Sequence, residues 1–129
     1  MGERPAPHVS DRTEAFWSGG AVGELRILRC QACGWWLHPP TPLCPQCRGR
    51  DVVPEAASGH GTVWSFTVNR YQWHPSLEPP YVLAEVDLDE QPGLRLLTAI
   101  VDCDDVTIGM PVHVRFEPAG DAWVPVFAP

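Results

Sequence analysis

Polar and apolar residues alternate in three stretches of the chain, and this alternation predicts half-exposed β-strands. Residues 24–29 alternate and lead directly into Cys30. Residues 82–88 put aliphatic side chains on one face and mainly acidic ones on the other, and residues 112–117 repeat the alternation. A period of two residues fits a strand with one buried face.

Further strands are predicted around the last two of these stretches. Trp64, Phe66 and Val68 are expected to share one face of a strand, and residues 122–127 complete the set. Residues 94–101 are apolar on both faces, which predicts a central strand buried on both sides. About five short strands with turns between them are typical of a small closed barrel such as the OB-fold, although periodicity alone leaves the topology open.

A short helix is predicted near the N-terminus. It carries Phe16 and Trp17 and is expected to stop at Gly19-Gly20, because glycine readily takes the left-handed backbone geometry that ends helices. Two roles remain open for the aromatic pair. The rings either cap the core of this chain or dock the helix on another subunit.

Four of the five cysteines form two Cys-x-x-Cys pairs, Cys30 with Cys33 and Cys44 with Cys47. Each pair is followed closely by a glycine, which lets backbone amides turn toward the sulfurs. Two such turns can surround one ion with four thiolates in a tetrahedron. The spacing therefore predicts a four-cysteine zinc ribbon.

The metal in this ribbon is expected to be structural zinc, with iron as the alternative, because thiolate tetrads also accept iron. Four protein ligands leave no coordination position for water or substrate, so we expect no metal catalysis. A redox dithiol is the competing interpretation of a single Cys-x-x-Cys, but that motif normally opens a helix. His38 lies between the two pairs and is not needed as a ligand.

Composition narrows the function classes. Among 129 residues, 15 Pro and 11 Gly favour many turns and a mostly β chain, and the net charge of -7 disfavours phosphate backbones and anionic membranes. No signal sequence or membrane span is recognisable, and paired cysteines without a disulfide framework fit a reducing cytoplasm. We therefore expect a cytoplasmic protein that binds neither nucleic acid nor membrane.

Cys103 is left over and is expected to act as a small buried hydrophobe.

Two segments are richer in aromatic residues than ordinary exposed loops. Residues 34–43, between the cysteine pairs, carry Trp35 and Trp36, and residues 70–81 carry Tyr71, Trp73 and Tyr81 among prolines. The tryptophans between the pairs either cover the ribbon or contact a partner, where Trp is enriched. The second segment is expected to join the first two barrel strands, a loop that OB-folds use for ligands or partners.

Several motifs together resemble a known family. They are Phe16-Trp17, the paired cysteines with Pro39-Pro40 between them, residues 59–63, residues 79–82 and residues 108–112. In combination they resemble the acyl-CoA-associated OB-fold proteins with a rubredoxin-like zinc ribbon, catalogued as domain of unknown function thirty-five. The resemblance spans nearly the whole chain from about Phe16. It implies a helix, then a zinc ribbon, then a five-stranded OB-fold barrel.

The resemblance also implies a function. Such proteins are accessory subunits of thiolase-like enzymes, among them the lipid-transfer-protein-type aldolases of steroid side-chain degradation and the archaeal assembly of thiolase with hydroxymethylglutaryl-CoA synthase. The expected partner is thus a thiolase-fold subunit in a hetero-oligomer, with a CoA thioester as shared substrate and retro-aldol cleavage as the reaction. In these complexes the catalytic residues belong to the partner, so none is assigned here, and the chain is not expected to be catalytic alone.

The seven aromatic residues expected at the partner surface or acyl-CoA channel are Phe16, Trp17, Trp35, Trp36, Tyr71, Trp73 and Tyr81. The chain is expected to divide into an N-terminal arm and helix at 1–23, the zinc ribbon at 24–50 and the OB-fold at 51–129.

Two other functions remain open. They are nucleic-acid binding, which zinc ribbons and OB-folds both perform, and a stand-alone enzyme acting on CoA thioesters.

Overall fold

The N-terminal helix forms where the sequence predicts it, but the left-handed glycine that ends it is Gly23, since Gly19 keeps helical geometry with φ -58°. In the computed structural model, which describes residues 4–129, helix α1 spans Glu14–Ser18 and continues as a 3-10 turn over Gly19–Val22. Gly23 ends this turn with a positive φ of 74°, a conformation that glycine adopts without steric cost. Among the described residues, no helix is long and apolar enough to cross a membrane.

A small antiparallel sheet follows the helix. Its strands are β1 (Leu25–Cys30), β2 (Trp36–Leu37) and β3 (Val52–Ala57), in the order β2-β1-β3. The predicted alternation in β1 is present, since Leu25 and Ile27 are buried. Because β3 pairs with β1 along its whole length, the hydrogen bonding of the ribbon sheet extends to Ala57.

The remaining five strands close into a barrel, as the sequence predicts for an OB-fold. Around the barrel the order is β4-β5-β6-β8-β7, with β4 and β7 paired to complete the circle. Strands β6 and β8 meet in parallel, and the other neighbours are antiparallel. The strands are β4 (His60–Asn69), β5 (Tyr81–Leu88), β6 (Arg95–Ile100), β7 (Pro111–Ala119) and β8 (Ala122–Ala128).

Strand β4 departs from simple alternation. Its pairing with β5 shifts register between Val63 and Ser65, so a bulge lies at Trp64. The bulge lets both Val63 and Phe66 pack on the core, which strict alternation forbids. The prediction that Trp64, Phe66 and Val68 share one face is therefore wrong for Trp64, and Val68 is exposed as well. The guanidinium of Arg95 lies 3.8 Å from the centroid of the Trp64 ring.

The glycines before and within β4 are required by close contacts. Gly59 has a positive φ of 81°, and its carbonyl accepts a hydrogen bond of 2.8 Å from Val114. A Cβ atom on Gly61 would lie 2.5 Å from the carbonyl oxygen of Asp87, closer than side chains can approach. Residues 59–61 thus lie where the backbone closely approaches β5 and β7.

One continuous core joins the ribbon sheet to the barrel. Leu25 and Ile27 of β1 and Trp36 of β2 belong to the same buried cluster as Val86 and Phe127 of the barrel. Cys103 packs against this cluster in a half-buried position, close to the expected role. Since the sheet and barrel share a core, neither presents an independent apolar interior.

Strand β6 is not buried on both faces as predicted. Leu96, Thr98 and Ile100 point into the core, whereas Leu97 is 70% exposed. Leu97 on the outer face of β6 is thus largely uncovered, so its hydrophobicity does not serve the core.

A single side chain fastens the ribbon sheet to the β5–β6 turn. The Gln91 amide nitrogen donates to the carbonyl of Trp36 and its oxygen accepts from the Trp36 backbone N–H, each at 2.9 Å. The side chain thus takes the position of a neighbouring strand for β2, a strand of two residues whose outer edge would otherwise be unpaired. Trp36 itself is buried, which makes both backbone groups costly to leave unpaired.

We predict that Gln91→Ala lowers the free energy of unfolding by about 2 kcal/mol, because both hydrogen bonds to Trp36 are lost in a half-buried junction. Urea unfolding at saturating zinc measures the change. Gln72→Ala is the control, since Gln72 is exposed and makes a single long hydrogen bond of 3.5 Å. Equal losses in the two variants would contradict the role of Gln91.

Candidate metal centre

The structure brings the four predicted cysteine ligands together. Cys30 ends β1, Cys33 follows in the next turn, and Cys44 and Cys47 lie in the loop before β3. All four sulfur atoms lie within 4.8 Å of one another, with Cys30 to Cys47 and Cys33 to Cys44 at 3.6 Å. Cys30 and Cys44 are buried while Cys33 and Cys47 are exposed, so one side of the centre faces the protein.

The two turns that carry the cysteines have the same hydrogen-bond pattern. In the first, Cys30 N–H donates to the Trp35 carbonyl at 2.8 Å and Gly34 N–H donates to the Cys30 carbonyl at 2.9 Å. In the second, Cys44 donates to Gly49 at 2.9 Å and Arg48 donates to Cys44 at 2.8 Å. In each turn, one hydrogen bond joins residues five apart and the other joins residues four apart. The two turns therefore have the same shape, which explains why both sulfur pairs point at one centre.

Glycine serves the two turns differently. Gly34 supplies the positive φ, 82°, of the first turn, but in the second turn Arg48 adopts it, with φ 65°. Gly49 instead lies against the sulfur: its N–H donates to Cys47 Sγ at 3.4 Å, and a Cβ there would lie 3.2 Å from that atom. The glycine after each cysteine pair predicts the contact between an amide and a sulfur, but nothing in the sequence predicts that Arg48 takes the left-handed conformation.

The sulfur positions fit a tetrahedral zinc ion. With Zn–S bonds of about 2.3 Å, ligands at tetrahedral angles are separated by about 3.8 Å. The two shortest sulfur separations, 3.6 Å, agree with that value and are far longer than a disulfide bond of about 2.05 Å. The four cysteines would therefore hold zinc as structural ligands, and they leave no position on the ion for a substrate.

The electrostatics of the thiols also favour a cation. The Cys33 amide, hydrogen-bonded to the Cys30 sulfur, lowers the pKa of Cys30 to about 7. The Trp35 amide favours the thiolate of Cys33, but loss of hydration and the thiols of Cys44 and Cys47 outweigh it and raise the pKa of Cys33 to about 12. Four neighbouring thiols cannot all ionise to thiolates at neutral pH unless a positive ion compensates their charge.

Polar contacts tie the first cysteine turn to β3. The Gln31 amide donates to a Glu55 carboxylate oxygen at 2.7 Å, and the Gln31 backbone N–H donates to the Asp51 carbonyl at 2.8 Å. Arg29 donates to the Gly34 carbonyl at 2.9 Å, and its guanidinium lies 4.8 Å from the Trp36 ring centroid. These contacts hold the metal turn in a fixed position relative to the sheet.

His38 lies outside the ligand cluster, in agreement with the sequence analysis. Its ring is half-buried and stacks on Phe16 with a centroid separation of 5.2 Å. Burial lowers the pKa of His38, since the charged imidazolium would lose its hydration. This residue therefore joins the helix to the segment between the cysteine pairs.

The seven aromatic residues expected at a partner surface occupy three environments. Phe16 and Trp36 are buried in the core, so neither is available for direct contact. Trp17, Trp35 and Tyr81 are half-buried. Tyr71 and Trp73 are 65% and 72% exposed and lie together, with ring centroids 4.7 Å apart. The structure thus brings one exposed aromatic pair to the loop between β4 and β5.

We predict that Cys44→Ser abolishes stoichiometric zinc, because a buried serine oxygen is a poor replacement for the thiolate and leaves three ligands. The wild type should retain about one zinc per chain and the variant less than about a tenth of that after dialysis, by elemental analysis. Cys103→Ser is the matched control, since Cys103 is a cysteine outside the cluster. Equal zinc in both variants would contradict the four-thiolate centre.

Comparison with known proteins agrees with this architecture. Residues 17–53 match the family described as ChsH2, rubredoxin-like zinc ribbon domain, and residues 54–117 match ChsH2, C-terminal OB-fold domain. Among solved structures, a chain of the "Ltp2-ChsH2(DUF35) aldolase" superposes with a TM-score of 0.83 at 40% sequence identity, covering 96% of this chain and 98% of that one.

Curated relatives carry several names. A "Probable enoyl-CoA hydratase alpha subunit" of Thermomonospora curvata is 42% identical over 98% of this chain, and a "3-oxo-4,17-pregnadiene-20-carboxyl-CoA hydratase alpha subunit" of Mycobacterium tuberculosis is 38% identical over 92%. The chain spans only 40% and 39% of the length of these two relatives. A "DUF35 domain-containing scaffold protein" of Methanocaldococcus jannaschii is 37% identical over 69% of this chain and 64% of its own length.

The two family models together match residues 17–117, and the solved relative superposes over nearly the whole of both chains. The chain therefore belongs to the ChsH2 (DUF35) family, in which a rubredoxin-like zinc ribbon precedes an OB-fold domain.

Proposed function

We propose that this protein is a non-catalytic accessory subunit that binds a thiolase-fold aldolase of the Ltp2 type and supports its acyl-CoA chemistry. The observation that carries the proposal is the match to the chain of the Ltp2-ChsH2(DUF35) aldolase, over nearly the full length of both chains at 40% identity. At that identity the surface as well as the fold is expected to be related.

The metal centre supports an accessory role. Its four protein thiolates complete the coordination of zinc, so the ion is available to hold the ribbon but has no open position for Lewis-acid catalysis. The ribbon shares its core with the barrel and is fastened to it by Gln91, which gives a rigid body of the kind that a partner can recognise without reordering it.

The exposed aromatic pair gives this rigid body a contact surface. Tyr71 and Trp73 pack against each other on the β4–β5 loop, and Tyr81 begins the strand that follows. Exposed aromatic rings that are already ordered lose little entropy on binding and are typical anchors of protein interfaces. The proposed partner surface therefore centres on Tyr71 and Trp73, with half-buried Trp35 and Tyr81 as additional candidates.

The proposed reaction of the complex is retro-aldol cleavage of a steroid side-chain CoA thioester, with the acid and base groups supplied by the partner. Two comparisons support this assignment. The matched complex is named an aldolase, and the M. tuberculosis relative is named for a pregnadiene-carboxyl-CoA substrate. The CoA thioester is thus proposed as a substrate shared between this subunit and its partner.

A scaffold role in a complex of thiolase with hydroxymethylglutaryl-CoA synthase is the second candidate. It is supported by the archaeal relative named a scaffold protein, which matches over about two thirds of either chain. The two candidates share the accessory role and differ in the partner enzyme.

We predict that co-expression with an Ltp2-type aldolase subunit from the same organism yields a stable complex, which cleaves a steroid β-hydroxyacyl-CoA that neither chain cleaves alone. Co-purification and a coupled assay for the released CoA product measure the two properties. A complex formed instead with a thiolase and hydroxymethylglutaryl-CoA synthase would favour the scaffold role. Failure to bind either enzyme would overturn the proposed function.

A further prediction concerns the aromatic pair. The double variant Tyr71→Ala, Trp73→Ala should raise the dissociation constant of the complex about tenfold or more, because two ordered anchors are lost. Ile108→Ala serves as control, since it removes an equally exposed apolar side chain from a different loop. Interferometry with immobilised partner measures the affinity, and an unchanged value in the double variant would exclude this loop from the interface.

A further inference from the structure

An apolar groove of about 190 Å³ lies on the outside of the barrel, where β6 approaches β8. We call it the seam groove. Leu97 is its most exposed side chain, and Leu83 is also exposed. The apolar part of the groove is lined by Trp17, Leu83, Leu97, Ala99 and Val124.

The groove exists because β6 and β8 are incompletely paired. Their only ladder position is Ile100 opposite Phe127, with Val101 N–H donating to the Phe127 carbonyl at 2.8 Å. Further along the seam, the hydroxyl of buried Thr98 donates to the Pro125 carbonyl at 2.9 Å. Proline has no N–H to leave unpaired, so this side-chain contact closes the barrel and leaves a shallow recess above it.

The walls of the groove are held in place by other contacts. The Trp17 ring packs edge-on against buried Phe16, with centroids 4.8 Å apart. Arg4, which lines the groove at its end, is fixed by an ion pair of 3.1 Å with Glu117. The recess is therefore formed before any ligand arrives, which lowers the entropic cost of filling it.

The seam groove lies on the outer face of the strand that follows the aromatic loop. Tyr81 and Leu83 are two residues apart on β5, so they point to the same side of the sheet. Leu83 lies opposite Ala99, and Leu97 is the next residue on that face of β6. An apolar strip thus runs from the β4–β5 loop along the outer face of β5 and β6, the face that OB-folds commonly use for ligands.

Acidic side chains flank this strip. Glu85 lies directly opposite Leu97 in the β5–β6 ladder, and it makes no ion pair with another described residue. Glu14 and Asp121 line a neighbouring pocket that shares Trp17 with the groove. Together with the net charge of -7, these carboxylates select for a partner segment whose apolar anchor is flanked by basic residues.

We propose that the seam groove is a second contact site for the aldolase subunit, and that it receives an apolar side chain flanked by Lys or Arg. This inference rests on the proposed function, and it adds Leu83 and Leu97 to a surface that the aromatic loop alone does not define. The exposed outer face of β6 thereby gains a role: its leucine is an interface residue.

The test compares two leucine-sized side chains of equal exposure. Leu97→Glu should weaken binding of the Ltp2-type subunit about tenfold or more, because it puts a charge into the groove beside Glu85. Ile108→Glu is the control, since Ile108 is 69% exposed on the β6–β7 loop and does not line the groove. Both positions are exposed, so both variants should unfold at the wild-type temperature, and this is checked by circular dichroism.

A photocrosslinking side chain, p-benzoyl-phenylalanine at position 97, gives a second measurement. Crosslinking to the aldolase subunit in the purified complex is the expected result. If the complex forms with wild-type affinity in Leu97→Glu and no crosslink appears, the groove is outside the interface and the proposed function stands without it. Crosslinking to a second copy of this chain would overturn the assignment to the aldolase. If the wild-type chain forms no complex, both proposals fall.

Discussion

The convergence of four thiolates on one point is the constraint on which the rest of the ribbon depends. The loop from Cys30 to Val52 contains one strand pairing of two residues, so it has little hydrogen-bonded structure of its own. A bound ion compensates the repulsion between sulfurs and fixes both ends of this loop at once, and structural zinc contributes on the order of 10 kcal/mol to modules of this size. The position of β2, and with it Trp36, follows from that closure.

Trp36 links the metal-binding ribbon to the barrel. Its side chain is part of the common core, and its backbone is held by the amide of Gln91 from the β5–β6 turn. The helix reaches the same region through Phe16, which stacks on His38. Helix, ribbon and barrel therefore meet around the segment that follows the first cysteine pair, and their relative orientation is a property of this junction.

Some apolar side chains lie outside this junction and remain exposed on the surface. The barrel buries one face of each strand, and Phe16 and Trp17 of the helix line the groove at the seam between β6 and β8. Apolar side chains remain exposed on the β4–β5 loop and on the outer face of β5 and β6, and Glu85 lies beside those of the sheet face. For an accessory subunit, such a surface on a rigid body has a clear physical use, since it can bind a partner at low entropic cost.

Patterns along the chain were enough to predict the metal ligands, the helix with its aromatic pair and the strands of the barrel. These features depend on local patterns: two Cys-x-x-Cys turns, the aromatic pair before a glycine-rich stretch, and a period of two. Long-range packing accounts for the bulge that exposes Trp64, the exposure of Leu97, the burial of Phe16 and Trp36, and the contact of Gln91 with Trp36. Each depends on which distant strand or side chain lies alongside, and apolar periodicity cannot tell whether a hydrophobic face meets the core or a partner.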